Sequence, residues 1–374
     1  AVLLATGGYG RIFAPSTNAL INTGDGQAAI LRAGLPLEDM EFVQFHPTTL
    51  GDKGILITEA ARAEGGFLLN GNAERFMNAY APRQMELATR DVVTRAIIDE
   101  TRAGRGINGS DFVHLDIRHL GEAIINEKLS QTREICIKFA GIDPVFDKVP
   151  VRPAAHYSMG GIPVSLRCEV LRARGLYAAG ECACVSVHGA NRLGCNSLLE
   201  AAVFGHTAGV SMDTFLTGQK YAPCQADAAV KAAVQELAAL EISGGSESVA
   251  DIRESLQRLM SAKCGVYRNS DTLISLHHDL ARLRTRYQSI RIEDRSPVFN
   301  LNLIETLELG RMLDIAEAVA HSAQARTESR GSHARTDFPK RNDREWHRHT
   351  LITKQGDCIN LRYKPVCPSP LGPG

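Results

Sequence analysis

The residues of this chain with chemical potential fall into a few short strings. The most informative runs from His188 to Glu200, reading HGANRLGCNSLLE, behind a strand-like stretch Gly175–Ala179 and a Gly180-Glu181 turn. A glycine-broken loop that opens a helix presents unpaired backbone N–H groups and a positive dipole end. That combination suits an anion or an electron-rich ring. Arg192 adds a permanent planar cation matched to a carboxylate. Elsewhere the spacing is suggestive and not decisive. Glu59 and Arg62 stand three apart, on one face if the segment is helical, and the plain alternative is an ordinary ion pair. Thr23-Gly24-Asp25-Gly26 reads by itself as a turn and helix start, and most of the 12 histidines have structural roles as the default.

Taken together, in order, these strings resemble the flavoprotein subunit of succinate dehydrogenase and fumarate reductase. The resemblance rests on Ala5-Thr6-Gly7-Gly8, Thr23-Gly24-Asp25-Gly26, Gln44-Phe45-His46-Pro47-Thr48, Thr58 to Gly66, Arg90-Asp91-Val92-Val93, His156 to Gly161, His188 to Glu200 and Glu328 to Arg335. It implies FAD as cofactor, with Thr6, Gly7, Gly8, Asp25, Glu181, Asn196, Ser197 and Leu198 contributing to its binding, and no metal. It further implies that His46 and Thr58 hold one carboxylate of a C4 dicarboxylate and that His156 and Arg192 hold the other. Charge-assisted hydrogen bonds of this kind are worth about 1.5–3 kcal/mol each. Arg90 becomes the group that receives the proton, although a guanidinium is a poor free base. Glu59 and Arg62 then form a relay that eases this difficulty.

The activity implied is oxidation of succinate to fumarate, with electrons passed to an iron–sulfur subunit and on to quinone. Membrane anchor subunits would supply an indirect attachment, on the cytoplasmic face of a bacterial inner membrane or the matrix face of the mitochondrial one. Fumarate reduction uses the same residues in reverse and is the nearest alternative. L-Aspartate oxidase follows, although His156 to Gly161 and Arg335 to Arg341 have the dehydrogenase form. A non-catalytic fragment unable to hold FAD comes last. That option arises because the chain begins inside a strand and lacks the G-x-G-x-x-G turn with its downstream acid, so an amino-terminally truncated chain is expected. Two departures from the resembled pattern stand out. Cys195 occupies a position where a small residue is usual, at a cost if the backbone there needs positive φ. Thr49 replaces a glycine and is expected to stiffen a turn.

Composition bounds the rest. Hydrophobic residues make up 44% and charged residues 22% of 374, which suits a globular chain of two or three domains. Forty-two basic residues balance 42 acidic ones, leaving no nucleic-acid footprint. A basic run between Arg326 and Arg348 reads as solvated surface or a subunit contact. No apolar stretch has the ~18 residues needed for a bilayer span. Nine cysteines form no paired framework, and Cys182 and Cys184 read as small buried apolar groups.

The expected fold class is α/β. A partial, Rossmann-like FAD-binding domain (1–41 and 148–216) holds an inserted α+β capping domain (42–147), followed by a helical bundle domain (222–330) and a short C-terminal region (331–374). Helices are expected through Ala28, Ala29, Ile30 and Ala33 behind the Thr23–Gly26 cap, and at Thr58 to Glu64, Pro82 to Ala103, Leu120 to Ala140, Ser248 to Cys264, Asp271 to Ile290 and Asn302 to Ala325, from apolar recurrence at helical spacing. A short strand is expected at Leu351 to Ile359, and a disordered tail at Val366 to Gly374.

Overall fold

The computed structural model describes residues 1–52, 54–217, 226–242, 244–356 and 358–367. The chain divides into two compact units, one made of Ala1–Phe13, Leu20–Phe42 and Ser158–Gly374, the other of Ala14–Ala19 and Val43–Tyr157.

The smaller unit is built on a five-stranded sheet in the order Ile55–Leu56, Val43–Leu50, Val149–Ser158, Val113–Asp116, Phe67–Leu69. Its β-branched and leucine side chains alternate inward and meet the Arg90–Arg102 helix through Val93, Ala96 and Ile97. Burying such side chains contributes about 1.5–3 kcal/mol each.

The helical expectations here need two corrections. Helix begins at Arg90 rather than Pro82: Met85 sits at φ 51 and Thr89 is extended. Tertiary bonds win over local propensity, since the Glu86 carboxylate accepts from the Leu68 amide and Arg75 while its carbonyl accepts from Arg62. The span Leu120 to Ala140 breaks into Gly121–Lys128 and Ser130–Ala140 because Leu129 turns into the core, with φ −127. Thr49 also departs from its expected role. It lies within the Val43–Leu50 strand, paired with Leu56, and its hydroxyl donates to the Arg152 carbonyl at 2.7 Å.

In the larger unit, Val2–Leu4 pairs in parallel with Leu176–Ala178, and Ile162–Pro163 with Ala183–Cys184. Helices Val249–Cys264, Ser270–Tyr287 and Leu301–Ala325 pack through Leu256, Met260, Leu276, Leu280, Leu309 and Leu313. Their starts are capped by Ser248, by Asn269 in a reciprocal box with Thr272, and by Asn300. The expected single strand at Leu351 is instead a hairpin, Arg348–Gln355 with Cys358–Pro365, turned at Gly356 (φ 57) and paired on its inner side with Leu37–Glu38. The tail expectation falls partly outside the described residues, at 368–374, as does the start of the expected helical domain at 222–225. Along the Asn196–Leu216 helix only Glu200 and Ala208 are buried; Leu198, Leu199, Val203 and Val210 are all more than half exposed.

The basic run from Arg326 is a solvated surface only in part: Lys340, Arg341 and Arg344 are exposed, while its other end is buried. Arg326 and Arg335 are each 1% exposed, and Arg326 donates to Glu41 at 2.6 Å and Glu328 at 3.0 Å while stacking on Phe42 and Trp346. Arg335 pairs with Asp337, and Arg330 with Glu328 and Asp343. Acids interspersed in the same segment, with Glu41, compensate these three arginines. A second buried carboxylate, Asp314, accepts from Arg32 at 2.6 Å, Arg284 at 2.8 Å and Lys354 at 3.1 Å, tying three separate segments to the last helix of the bundle. These cations outweigh the burial that would otherwise raise its pKa, which stands below the ordinary aspartate value. Removing one member of such a set leaves charge uncompensated, so Asp314→Ala is expected to cost roughly 3 kcal/mol. Urea unfolding checks this, and a loss under about 1 kcal/mol would mean that solvent screens the set.

Candidate active site

In the smaller unit the sheet carries two expected residues, His46 and His156, and Gln44 beside them. Successive strand side chains alternate, so Gln44 and His46 share one face of the Val43–Leu50 strand. His156 comes from the Val149–Ser158 strand, and the two imidazole rings stand edge to face with centroids 5.1 Å apart. Thr17 fixes His156, its Oγ1 2.7 Å from Nδ1, while Asn18 Nδ2 donates to the His156 carbonyl at 3.0 Å.

His46 is 1% exposed. Burial, aided by His156, Arg90 and Arg62, holds its pKa well below the ordinary histidine value, so the ring is neutral. Its Nδ1 lies 3.3 Å from the Thr48 amide and 3.1 Å from the Thr48 carbonyl. With the amide as donor, the ring proton sits on Nε2, and an anionic ligand selects that tautomer.

The guanidiniums are arranged around one carboxylate. Arg90, first residue of its helix, donates through Nε to Glu59 Oε2 at 2.8 Å and through NH1 to Gln44 Oε1 at 3.1 Å. Arg62, in the single-turn helix Ala60–Ala63, approaches the other oxygen of Glu59 at 3.5 Å. Burial and the charge of Arg90 lower the Arg62 pKa against the opposing pull of Glu59. Glu59 itself keeps a 39% exposed side chain, so the pair has an outlet to water. Thr58 is exposed, its Oγ1 accepting from the Ala60 amide at 3.3 Å.

In the larger unit, Gly8 passes close to Glu181, and Gly7 (φ 72) faces the Asn22 side chain. A Cβ on Gly8 would fall 2.3 Å from Glu181 Oε1 and 2.9 Å from Ser158 Oγ. Glu181 Oε1 accepts from the Ser158 amide at 2.8 Å, and burial pushes its carboxyl up to about 7. Gly26 is likewise packed on Thr6, whose Oγ1 would meet a Cβ at 2.3 Å. A sparingly solvated acceptor beside a side-chain-free backbone fits a hydroxyl-bearing chain such as that of a dinucleotide. Asp25 is already engaged, accepting from Thr23 at 3.0 Å and from Arg311 at 2.9 Å.

The loop before Asn196 also differs in detail from expectation. The Asn196 amide donates to the Leu193 carbonyl at 3.3 Å and the Leu198 amide to the Cys195 carbonyl at 3.0 Å, so these two donors are already engaged. Cys195 takes φ 63, a left-handed position where its side chain is strained. Arg192 is 4% exposed, with NH1 3.2 Å from the Leu193 carbonyl and 3.4 Å from Ser197 Oγ. His188 Nε2 meets Glu200 Oε2 at 2.8 Å and pins the loop to its helix.

Gln44, Thr17, Asn18 and His188 were not anticipated as site residues. Gln44 was findable from strand alternation with His46. For Thr17 and Asn18 no local signal exists, because their partner lies more than 130 residues away.

A family model described as FAD binding domain matches residues 1–198, and one described as fumarate reductase flavoprotein C-term matches 253–373. The succinate dehydrogenase flavoprotein subunit of Rickettsia bellii is 44% identical over 377 residues, covering 98% of this chain and 63% of the relative. The chain belongs to the succinate dehydrogenase/fumarate reductase flavoprotein family. The fumarate reductase flavoprotein subunit of Mycobacterium tuberculosis is equally similar, 44% identical over 392 residues, covering all of this chain and 67% of that protein. Among solved structures, the Escherichia coli quinol fumarate reductase FrdA chain has a TM-score of 0.95 at 41% identity, covering 100% of this chain and 67% of that one. Mycobacterium smegmatis Sdh1 has a TM-score of 0.83 at 37% identity, covering 98% of this chain and 61% of that one. The α/β class with FAD-binding and helical parts agrees with these neighbours, and FAD is the family's cofactor. The chain spans about 63% of the length of the first of these relatives.

The raised carboxyl gives a test of the local electrostatics. The folded chain holds the Glu181 proton more tightly than the unfolded chain, whose carboxyl sits near 4.5. Stability therefore falls as pH rises from about 4.5 to about 7 and levels off above that. At about 1.4 kcal/mol per pH unit of displacement, the loss is about 3 kcal/mol. Glu181→Gln should flatten this slope in denaturant titrations of the flavin-free chain; an unchanged slope would place the pH dependence elsewhere.

Proposed function

We propose that this chain carries the succinate-oxidising machinery of a flavoprotein subunit that converts succinate to fumarate. The observation that carries the reading is Glu59 bound to both Arg90 and Arg62 in the unit that also holds the His46–His156 pair. In this reading His46, through Nε2–H, and Thr58 hold one carboxylate. His156 holds the other together with Arg192, whose part rests on its motif. Each contact favours the dianion and fixes its central carbons.

Oxidation removes one hydride and one proton from adjacent carbons, and FAD, when bound, supplies the hydride acceptor. Thr6, Gly7, Gly8, Asp25, Glu181, Asn196, Ser197 and Leu198 are the residues proposed to hold it, with Asp25, Asn196 and Leu198 the least available of them. The proton passes to Arg90 and on to Glu59, whose part-exposed carboxylate meets solvent, with the buried Arg62 as the second guanidinium of the relay. Sharing Glu59 between two guanidiniums lets a proton enter at Arg90 as another leaves, so no guanidine has to persist as a free base. The same residues serve fumarate reduction, and the equal similarity to a fumarate reductase subunit supports both directions. Relatives from bacteria and from rice mitochondria support an iron–sulfur subunit and membrane anchors as partners, at a bacterial inner membrane or the mitochondrial inner membrane. No helix among the described residues is long and apolar enough to cross a membrane.

In the flavin-loaded protein, Arg90→Lys should lower kcat for succinate at least ~100-fold, the scale of positioned proton transfer, while KM changes little. An artificial electron acceptor reads this directly, and turnover within tenfold of the parent would remove Arg90 from the role.

A further inference from the structure

The smaller unit takes in a short piece of chain from far away in the sequence, Ala14–Ala19. No motif marks it, yet it lies along the strand that carries His156. Ser16, 2% exposed, bridges Ala155 in parallel, and the Thr17 amide donates to the Ala155 carbonyl at 2.9 Å. Asn18 Nδ2 donates to the His156 carbonyl at 3.0 Å and Asn18 Oδ1 accepts from Ser16 Oγ at 3.1 Å. Gly54 closes the other side, where a Cβ would fall 2.5 Å from the Ser16 carbonyl. The backbone of Thr17 is thus held independently of its side chain, which is left to serve the histidine.

Thr17 Oγ1 is 2.7 Å from His156 Nδ1 and has one proton to give. The other acceptor in its reach, the Ala155 carbonyl, is 3.4 Å away and already takes the Thr17 amide. Hydroxyl bonds to oxygen have lengths of about 2.5–3.0 Å, so the proton goes to Nδ1. A neutral imidazole donates from one nitrogen and accepts at the other, which puts the ring proton of His156 on Nε2. His46 reaches the same form by a different donor, the Thr48 amide at 3.3 Å from its Nδ1. The two rings, 5.1 Å apart, are matched.

We propose that Thr17 is a positioning residue of the dicarboxylate site, holding His156 as the Nε2–H tautomer so that the His46–His156 pair offers two N–H groups to carboxylate oxygens. The inference rests on the reading of both histidines as carboxylate ligands. In the opposite tautomer a nitrogen lone pair would meet the carboxylate, acceptor against acceptor. Positive charge is already present from Arg90 and Arg62, both of which act on His46. Donors that carry no charge complete the grip without adding to that repulsion.

The tautomer is read in the flavin-free chain labelled with nitrogen-15 at histidine, at about pH 8, where an ordinary imidazole is neutral. Two-bond proton–nitrogen correlation spectra separate the two forms, and His156→Gln identifies the His156 signals by their loss. The parent should show a protonated Nε2 and a hydrogen-bonded, unprotonated Nδ1. Thr17→Val keeps the shape without the hydroxyl and should move the Nδ1 signal off its hydrogen-bonded position; Thr17→Ser should restore it. In the flavin-loaded protein Thr17→Val should raise KM for succinate about 10-fold, with kcat nearly unchanged and Thr17→Ser close to the parent. A protonated Nδ1 in the parent, an Nδ1 signal that Thr17→Val leaves in place, or no recovery in Thr17→Ser would each overturn the assignment. A signal that responds while KM stays put would uphold the hold of Thr17 on His156 and remove His156 from the carboxylate reading.

Discussion

One carboxylate shared by two guanidiniums governs the smaller unit. Glu59 holds Arg90 through one oxygen and approaches Arg62 through the other. Without it, two cations, one of them 1% exposed, would face each other and the histidine pair with only Glu86, beside Arg62, to offset them. Interactions between charges strengthen as water is excluded, so this acid helps to position Arg90 and, through it, Gln44, while Arg62 is held by Glu59 and by the Glu86 carbonyl. The break in the expected helix before Arg90 belongs to the same arrangement. Glu86 gives its carbonyl to Arg62 and its carboxylate to the sheet and Arg75, and the chain between Met85 and Thr89 bends to allow it.

The larger unit follows a similar principle with different residues. Arg326 and Asp314 are each surrounded by opposite charge contributed from distant parts of the sequence. Buried ion pairs are weak evidence for stability, because desolvation opposes their Coulomb gain. Their geometric demands are strict, however, and they specify which segments meet. Arg326 joins the turn at Glu41 to the hairpin beginning at Arg348, and Asp314 joins the bundle to the Lys354 end of the same hairpin.

Much of this was legible in the sequence, for identifiable reasons. The three long bundle helices carry apolar stripes that local periodicity reports faithfully, and their observed bounds differ by a residue or a few. His46, Glu59, Arg62, Arg90 and His156 were legible because each sits inside a string of unusual composition. What was not legible depends on partners remote in sequence. Thr17 and Asn18 support His156 from across the chain, and Leu129 breaks a helix because the core draws it inward. Arg326 and Arg335 looked as solvent-facing as the exposed Lys340, Arg341 and Arg344 because charge counted along a segment says nothing of the acids folded against it. The loop at Arg192 was right in kind and different in detail, since its own carbonyls take up the Asn196 and Leu198 amides.

The Asn196–Leu216 helix carries a consequence of its own. Leu199, Val203 and Val210 recur at intervals of four and seven along a flank where almost nothing is covered. Apolar patches of that kind drive colloidal association. Preparations of the described chain should therefore brighten an environment-sensitive dye such as ANS while still cooperatively folded, and should self-associate as they are concentrated.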